Sequence, residues 1–178
     1  MFFFKSYYQT IIKRDLTNAF FYQDIKQIPQ MKKIVLNFGL KAPNFKQLLS
    51  SLLALEIISS KKSVLTKSKH VNIMLKIKKG NPVGCKVILK KSLMYSFYLT
   101  LIVFIFPKIK QFQINSDQTS FKSKNAISIK LQNSLLFSEL ESHYQFFKST
   151  PSLNITLVTN SQSQKELFFL LKSVKFFV

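Results

Sequence analysis

The sequence predicts an α+β fold, an antiparallel sheet with α-helices packed on one face and a basic opposite face. Three observations predict it. Segments of period two and segments of helical period are intermixed without strict alternation, unlike a doubly wound parallel sheet. Apolar residues make up 47% of the 178, and Phe alone occurs 19 times, enough to build a real core. In VGCKVILK, Lys86 and Lys90 fall in phase through Ile88, while Val87 and Leu89 take the other side.

The elements follow in order. Tyr8, Ile11, Ile12, Leu16 and Phe20 recur at helical spacing, which predicts an amphipathic helix over about 5–21. After Pro29, MKKIVLNFG reads as a strand closed by Gly39. FKQLLSSLLALEII is a second helix with Phe45, Leu48, Leu49, Leu52 and Leu53 on its apolar face, broken at Ser59-Ser60-Lys61-Lys62. Three strand-like pieces come next: SVLTK, VNIMLKIK and VGCKVILK. KKGNPVG joins the last two as a hairpin loop with turn residues at its centre.

LMYSFYLTLIVFIF, residues 93–106, is the most apolar run. Fourteen helical residues reach about 21 Å, short of a hydrocarbon core of about 30 Å. Ser96 and Thr100 lie inside it and Pro107 ends it, so it reads as a buried helix. The polar stretch after it predicts a mobile loop over about 114–125. NAISIKLQ and LNITLVT are strands, and SQSQKELFFLLKSV is a last helix, capped by Ser161 or Ser163 with Glu166 in its first turns. One domain over 1–178 is expected, with no internal repeat.

Net charge is +20, and every basic residue except Arg14 is a lysine. From Ile57 to Ser116 there are twelve lysines and no Asp or Glu. Such a stretch suits a polyanion. Lysine meets phosphate as a point charge, so backbone and shape recognition is expected over base reading. A basic membrane-surface protein, anchored by the 93–106 helix, is the alternative.

Catalysis lacks its parts. Seven carboxylates are scattered, the two histidines are His70 and His143, and HExxH, GxSxG, GxxxxGK[ST] and GxGxxG are all absent. GNPVG lacks the spacing and the following helix of a phosphate loop. His70 lies among lysines, and His143 lies in the acidic patch ELESHY. Cys85, the single cysteine, sits in the apolar GCKVIL and reads as a small core residue, with no disulfide or thiolate cluster available to it.

Several stretches then carry a resemblance in register over nearly the full chain: SYYQ, IPQMKKIVLNFG, LEIISSKKSVLTKSKH, KIKKGNPVGCKVILKKSLMYSFYLTLI, FPKIKQF, LLFSELE and LNITLVTNSQSQKELFFLL. The chain resembles the universal large-subunit ribosomal protein five family. The most specific stretch is GNPVGCKVIL followed by MYSF, which looks like the family's Gly-x-Pro-Ile-Gly-Cys-Lys-Val-x-Leu and Met-Tyr-x-Phe. The resemblance implies a ferredoxin- or RRM-like sheet. It implies a structural role in the central protuberance, with 5S ribosomal RNA, large-subunit ribosomal RNA and other large-subunit proteins as partners. It also implies approach to the elbow of P-site transfer RNA and to a small-subunit head protein. No cofactor, metal, catalytic residue or membrane insertion is implied. Asn37, Lys61, Thr66, Lys67, Lys86 and Lys90 match motif positions associated with ribosomal RNA. Lys69, His70, Lys76, Lys78, Lys79 and Gly80 lie where family members approach transfer RNA.

Departures from the family pattern are concentrated in its glycines and arginines. The family's glycine-rich piece after the first strand is here LKAPN, with only the preceding Gly39 kept, and most arginines have become lysine or polar residues. With an apolar start, MFFF, too short for a signal peptide and no Arg- and Ser-rich import peptide, this drift fits a mitochondrially encoded copy.

Overall fold

The computed structural model describes residues 6–40, 44–109 and 119–174, with the backbone alone for 119–122. A π-helical turn, Tyr8–Ile12, runs into helix α1, Lys13–Ala19. Tyr8, Ile12 and Leu16 are buried, but Ile11 is exposed. A π turn bonds i to i+5 and rotates side chains away from the 3.6 spacing that placed Ile11 inside. The Tyr8 hydroxyl donates to the Pro29 carbonyl at 2.6 Å, which ties the helix to the start of the sheet.

Strand β1, Met31–Gly39, buries Ile34, Leu36 and Phe38 in alternation. Helix α2 spans Phe45–Ser59 and β2 spans Val64–Lys67. Strand β3, Pro82–Leu89, buries Cys85, Val87 and Leu89 and exposes Lys86. Helix α3, Lys91–Thr100, continues through a π turn, Leu101–Ile105, and a 3-10 turn, Phe106–Lys108. Strands β4, Thr119–Ser123, and β5, Ala126–Leu131, are joined by two residues. A 3-10 turn, Ser134–Leu136, and two short helices, α4, Ser138–Glu141, and α5, Tyr144–Phe147, precede β6, Leu153–Thr159, and α6, Gln164–Ser173.

The strands form one antiparallel sheet of six in the order β2-β3-β1-β6-β5-β4, so the expected α+β class holds. By contact density the described chain divides into two compact units. The first holds the described parts of 1–34, 90–128 and 156–178. Its core includes Ile12, Leu16, Met94, Leu101, Leu157 and Leu170, and the Tyr98 hydroxyl donates to the Val174 carbonyl at 3.1 Å. Ser163 caps α6 by accepting from the Glu166 amide at 3.2 Å, which settles the choice between Ser161 and Ser163. Ser161 is buried and donates to the Lys124 carbonyl at 2.8 Å instead. The second unit holds 35–89 and 129–155, with Leu36, Phe38, Leu55, Val87 and Leu89 at its centre.

Several expectations are corrected. VNIMLKIK is not a strand: only Asn72 and Ile77 pair, as an isolated bridge, and the partner of β3 is β2. The alternation there is not one of burial, since Ile73, Met74 and Leu75 are exposed and only Ile77 is buried. KKGNPVG is therefore not the tip of a hairpin but the return of a longer loop into β3. The apolar face of α2 is also different: Leu48, Ser51, Ala54, Leu55 and Ser59 are buried, whereas Phe45, Leu49 and Leu53 are exposed. With leucines on both sides of the helix, periodicity alone cannot choose the inner one. In the 93–106 run, Val103 and Phe104 face outward, so that helix is buried on one side rather than all round. The mobile loop placed over 114–125 begins outside the described residues, but 119–123 form β4 against β5.

Candidate nucleic-acid interface

The lysine-rich stretch begins where α2 ends. Ser60 closes the helix in a left-handed conformation (φ 50°) and its amide donates to the Glu56 carbonyl at 2.8 Å. The Glu56 carboxylate accepts from the Ser63 amide at 2.9 Å, which turns the chain into β2. Lys61 reaches across, its Nζ donating to the Ile88 carbonyl at 2.6 Å. That contact spends one of its three N–H donors inside the fold and leaves the ammonium exposed.

β2 and β3 pair antiparallel: Val64 opposite Lys86, Leu65 opposite Cys85, Thr66 opposite Gly84 and Lys67 opposite Pro82, with a bulge between Thr66 and Lys67. Gly84 is fixed by space. A β-carbon there would strike the Phe38 carbonyl oxygen and sit 3.1 Å from Thr66 Oγ1. Only glycine lets β3 lie this close to its neighbours. One residue on, Cys85 is buried with its thiol donating to Ser51 Oγ at 3.4 Å, and burial pushes the thiol pKa up. It is the core residue expected. Because Cys85 points toward α2, Lys86 points to the other face of the strand, in the phase read from the sequence. Lys90 lies just past the strand, extended and exposed, at the N-terminus of α3 in the first unit.

Between β2 and β3 lie fourteen residues, 68–81. The loop is closed at two levels. At its base the Ser68 amide donates to the Asn81 carbonyl at 2.8 Å and the Gly80 amide donates back to Ser68 at 3.0 Å. Further out Asn72 and Ile77 exchange amide bonds at 2.9 and 3.0 Å, enclosing the four-residue turn Ile73–Lys76. Asn72 Oδ1 accepts from the Leu75 amide at 3.3 Å and Lys76 takes a left-handed φ of 53°. Gly80, with φ 88°, makes the return bend.

The distal turn is thus Ile73-Met74-Leu75-Lys76, with Ile73 87% and Met74 93% exposed. Lys69, His70, Lys76, Lys78 and Lys79 are exposed around it. The six loop residues singled out from the sequence do fall in one loop, and Gly80 belongs to its base. Lys67, Lys86 and Lys61 are exposed on the hairpin and its approach, while Thr66 and Asn37 are half-buried in β2 and β1. The sequence reading missed Ile73 and Met74. A charge count overlooks them, and their signal was an apolar pair inside a segment with no core to join.

Among the described residues no three His, Cys, Asp or Glu side chains gather as metal ligands. His70 and His143 are both exposed. No helix of the described residues is long and apolar enough to cross a membrane.

The family model for the C-terminus of the ribosomal L5 family matches residues 82–177. The chain belongs to this family. Its relatives match almost end to end. The large ribosomal subunit protein uL5m of Reclinomonas americana is 36% identical over 169 residues, covering 94% of this chain and 92% of the relative. The uL5 proteins of Blochmanniella floridana and Borreliella burgdorferi are 31% and 35% identical, covering 97% and 91% of this chain and 90% and 88% of their own lengths. As an L5 family member the chain is a structural constituent of the large ribosomal subunit, with the ribosome and ribosomal RNA as partners, and is not an enzyme. The mitochondrial relative fits the organelle-type reading, and bacterial relatives are similarly close.

Proposed function

We propose that this L5 protein acts as one domain that holds 5S ribosomal RNA against large-subunit ribosomal RNA in a mitochondrial ribosome. In this reading the β2–β3 hairpin is the main RNA contact, and its distal turn reaches the P-site transfer RNA. The carrying observation is the loop 68–81: five exposed cationic or imidazole side chains, no carboxylate, and two tiers of backbone hydrogen bonds holding it out. Lys67 and Lys86 extend the charge along the strands, Lys61, Thr66 and Asn37 supply further donors within the same unit, and Lys90 lies one residue past β3. Phosphate neutralisation by these lysines releases counterions and gives affinity without base reading.

Ile73 and Met74 refine the contact with transfer RNA. An exposed apolar turn cannot pair with phosphate. It can lie against a ribose or a base face, while the lysines on either side meet the backbone. The small-subunit head protein is a further partner in this reading. The test is sequencing of RNA from purified large subunits together with ultraviolet crosslinking. Co-purified 5S RNA, with crosslinks from 68–81 to transfer RNA and from β3 to ribosomal RNA, is expected. Particles without 5S RNA, or a hairpin that crosslinks to no RNA, would refute it.

A further inference from the structure

We propose that the outward face of α2 and the segment 143–149 form a docking groove for an amphipathic α-helix of another large-subunit protein, a helix with acidic flanks. The inference rests on residence in the large subunit and not on which RNA the hairpin touches.

The inner face of α2 is already used, with Ser51 against Cys85 and Leu48 and Leu55 buried. Leu49, Leu53 and Ile57 point the other way and are 48%, 46% and 40% exposed. They stand at i, i+4 and i+8, a ridge of the kind that packs into the groove of a second helix. The second wall carries Phe146, 74% exposed, and is held to α2 by Gln47 Nε2 donating to the Ser149 carbonyl at 2.7 Å. The groove between them measures about 1030 Å³. From Leu49 to Ile57 the floor runs about 12 Å at 1.5 Å per residue, a little over two turns of a docked helix.

Charge selects the occupant. Lys46 and Lys148 are exposed at the lining and none of the lining residues is a carboxylate. An apolar floor with both lysines toward the N-terminal end of α2, where Gln47 meets Ser149, complements a helix with apolar anchors at i and i+4 and Asp or Glu beside them. RNA is the poorer fit, because the apolar lining outweighs its two lysines, unlike the hairpin loop with its five cationic or imidazole side chains. The groove also lies on the side of α2 away from β3, whose Lys86 faces in the opposite direction.

The test places a photo-crosslinking benzoylphenylalanine at Ser50, a lining position, in assembled large subunits. Crosslinked peptides are mapped in the parent, in L49D/L53D and in K46E/K148E. The expected product is one protein segment with helical apolar spacing and acidic flanks. Its yield should fall at least tenfold in the first variant and several-fold in the second, with sedimentation on the large subunit and the melting temperature unchanged. Crosslinks to RNA, to lipid, to this chain or a second copy, or a yield that neither variant lowers, would overturn the groove. A parent chain that fails to sediment with large subunits would overturn its ribosomal residence as well, a separate result.

Discussion

Replacing Lys67, Lys86 and Lys90 together by Gln isolates the charge of the ribosomal-RNA contact from its shape. All three are exposed, one at the end of β2, one on the outward side of β3 and one just past that strand. Each lysine that neutralises a phosphate contributes about 0.7 to 0.9 to the slope of log affinity against log salt. Losing three should flatten the slope by about 2 to 3 units. Between 50 and 200 mM salt the triple variant should then lose about 20- to 40-fold less affinity than the parent. At low salt it should start correspondingly weaker. Filter binding of each protein to a 5S transcript and to a large-subunit RNA fragment across that salt range reads the slope directly. Surface substitutions of this kind change stability by no more than about 0.5 kcal/mol, so an unchanged melting temperature accompanies the effect. A slope that stays parallel to the parent's on both RNAs would take these lysines out of the interface and refute the electrostatic reading of the hairpin.

Other predictions concern the scaffold. Gly84→Val should cost at least about 3 kcal/mol in chemical denaturation, because its side chain meets backbone, which cannot move aside as a flexible side chain would. Ser60→Gly and Lys91→Gly, at φ 50° and 52°, should each stabilise by about 1 kcal/mol through relief of left-handed strain, read as a higher melting temperature. Burial raises the pKa of Tyr98 well above its ordinary 10.0 and that of Cys85 above 9.0. The unfolded chain therefore releases these protons first. Their contribution to stability is complete below pH 9 and is lost progressively above it, and Tyr98→Phe should flatten the part of that decline beyond pH 10. Ser163→Ala should lower stability by about 1 kcal/mol through loss of the α6 cap.

Some of this molecule is written locally. β1 and β6 declare themselves because one face of each is buried, so Ile34, Leu36, Phe38 and Leu153, Ile155, Leu157 alternate with half-exposed or polar neighbours. The α6 cap is visible for the same reason: Ser163 and Glu166 interact over three residues. The hairpin is not local. Its pairing follows from β3 fitting beside Phe38 through the missing side chain of Gly84, a contact 46 residues apart in sequence. Nothing within VNIMLKIK records that β3 already has a partner in β2, so its alternation imitates a strand. α2 misleads differently, because it has apolar residues on two faces and only one of them meets the sheet. The short helices α4 and α5 offer too few turns for a period to emerge, and only the fold places Leu140 and Phe147 inside. For the candidate site, charge alone finds the basic residues, but the distal position of Ile73 and Met74 depends on where the loop folds back.

The doubly braced loop has a thermodynamic consequence for whatever it meets. A slack connector of this length would have to surrender its disorder at the moment of contact, at about 1 kcal/mol or more for every residue that becomes fixed. Here the rungs at Ser68–Asn81 and Asn72–Ile77 impose that loss during folding. A passing ligand therefore encounters a finished surface, and weak, brief touches by a few side chains can register without first having to organise the finger that makes them.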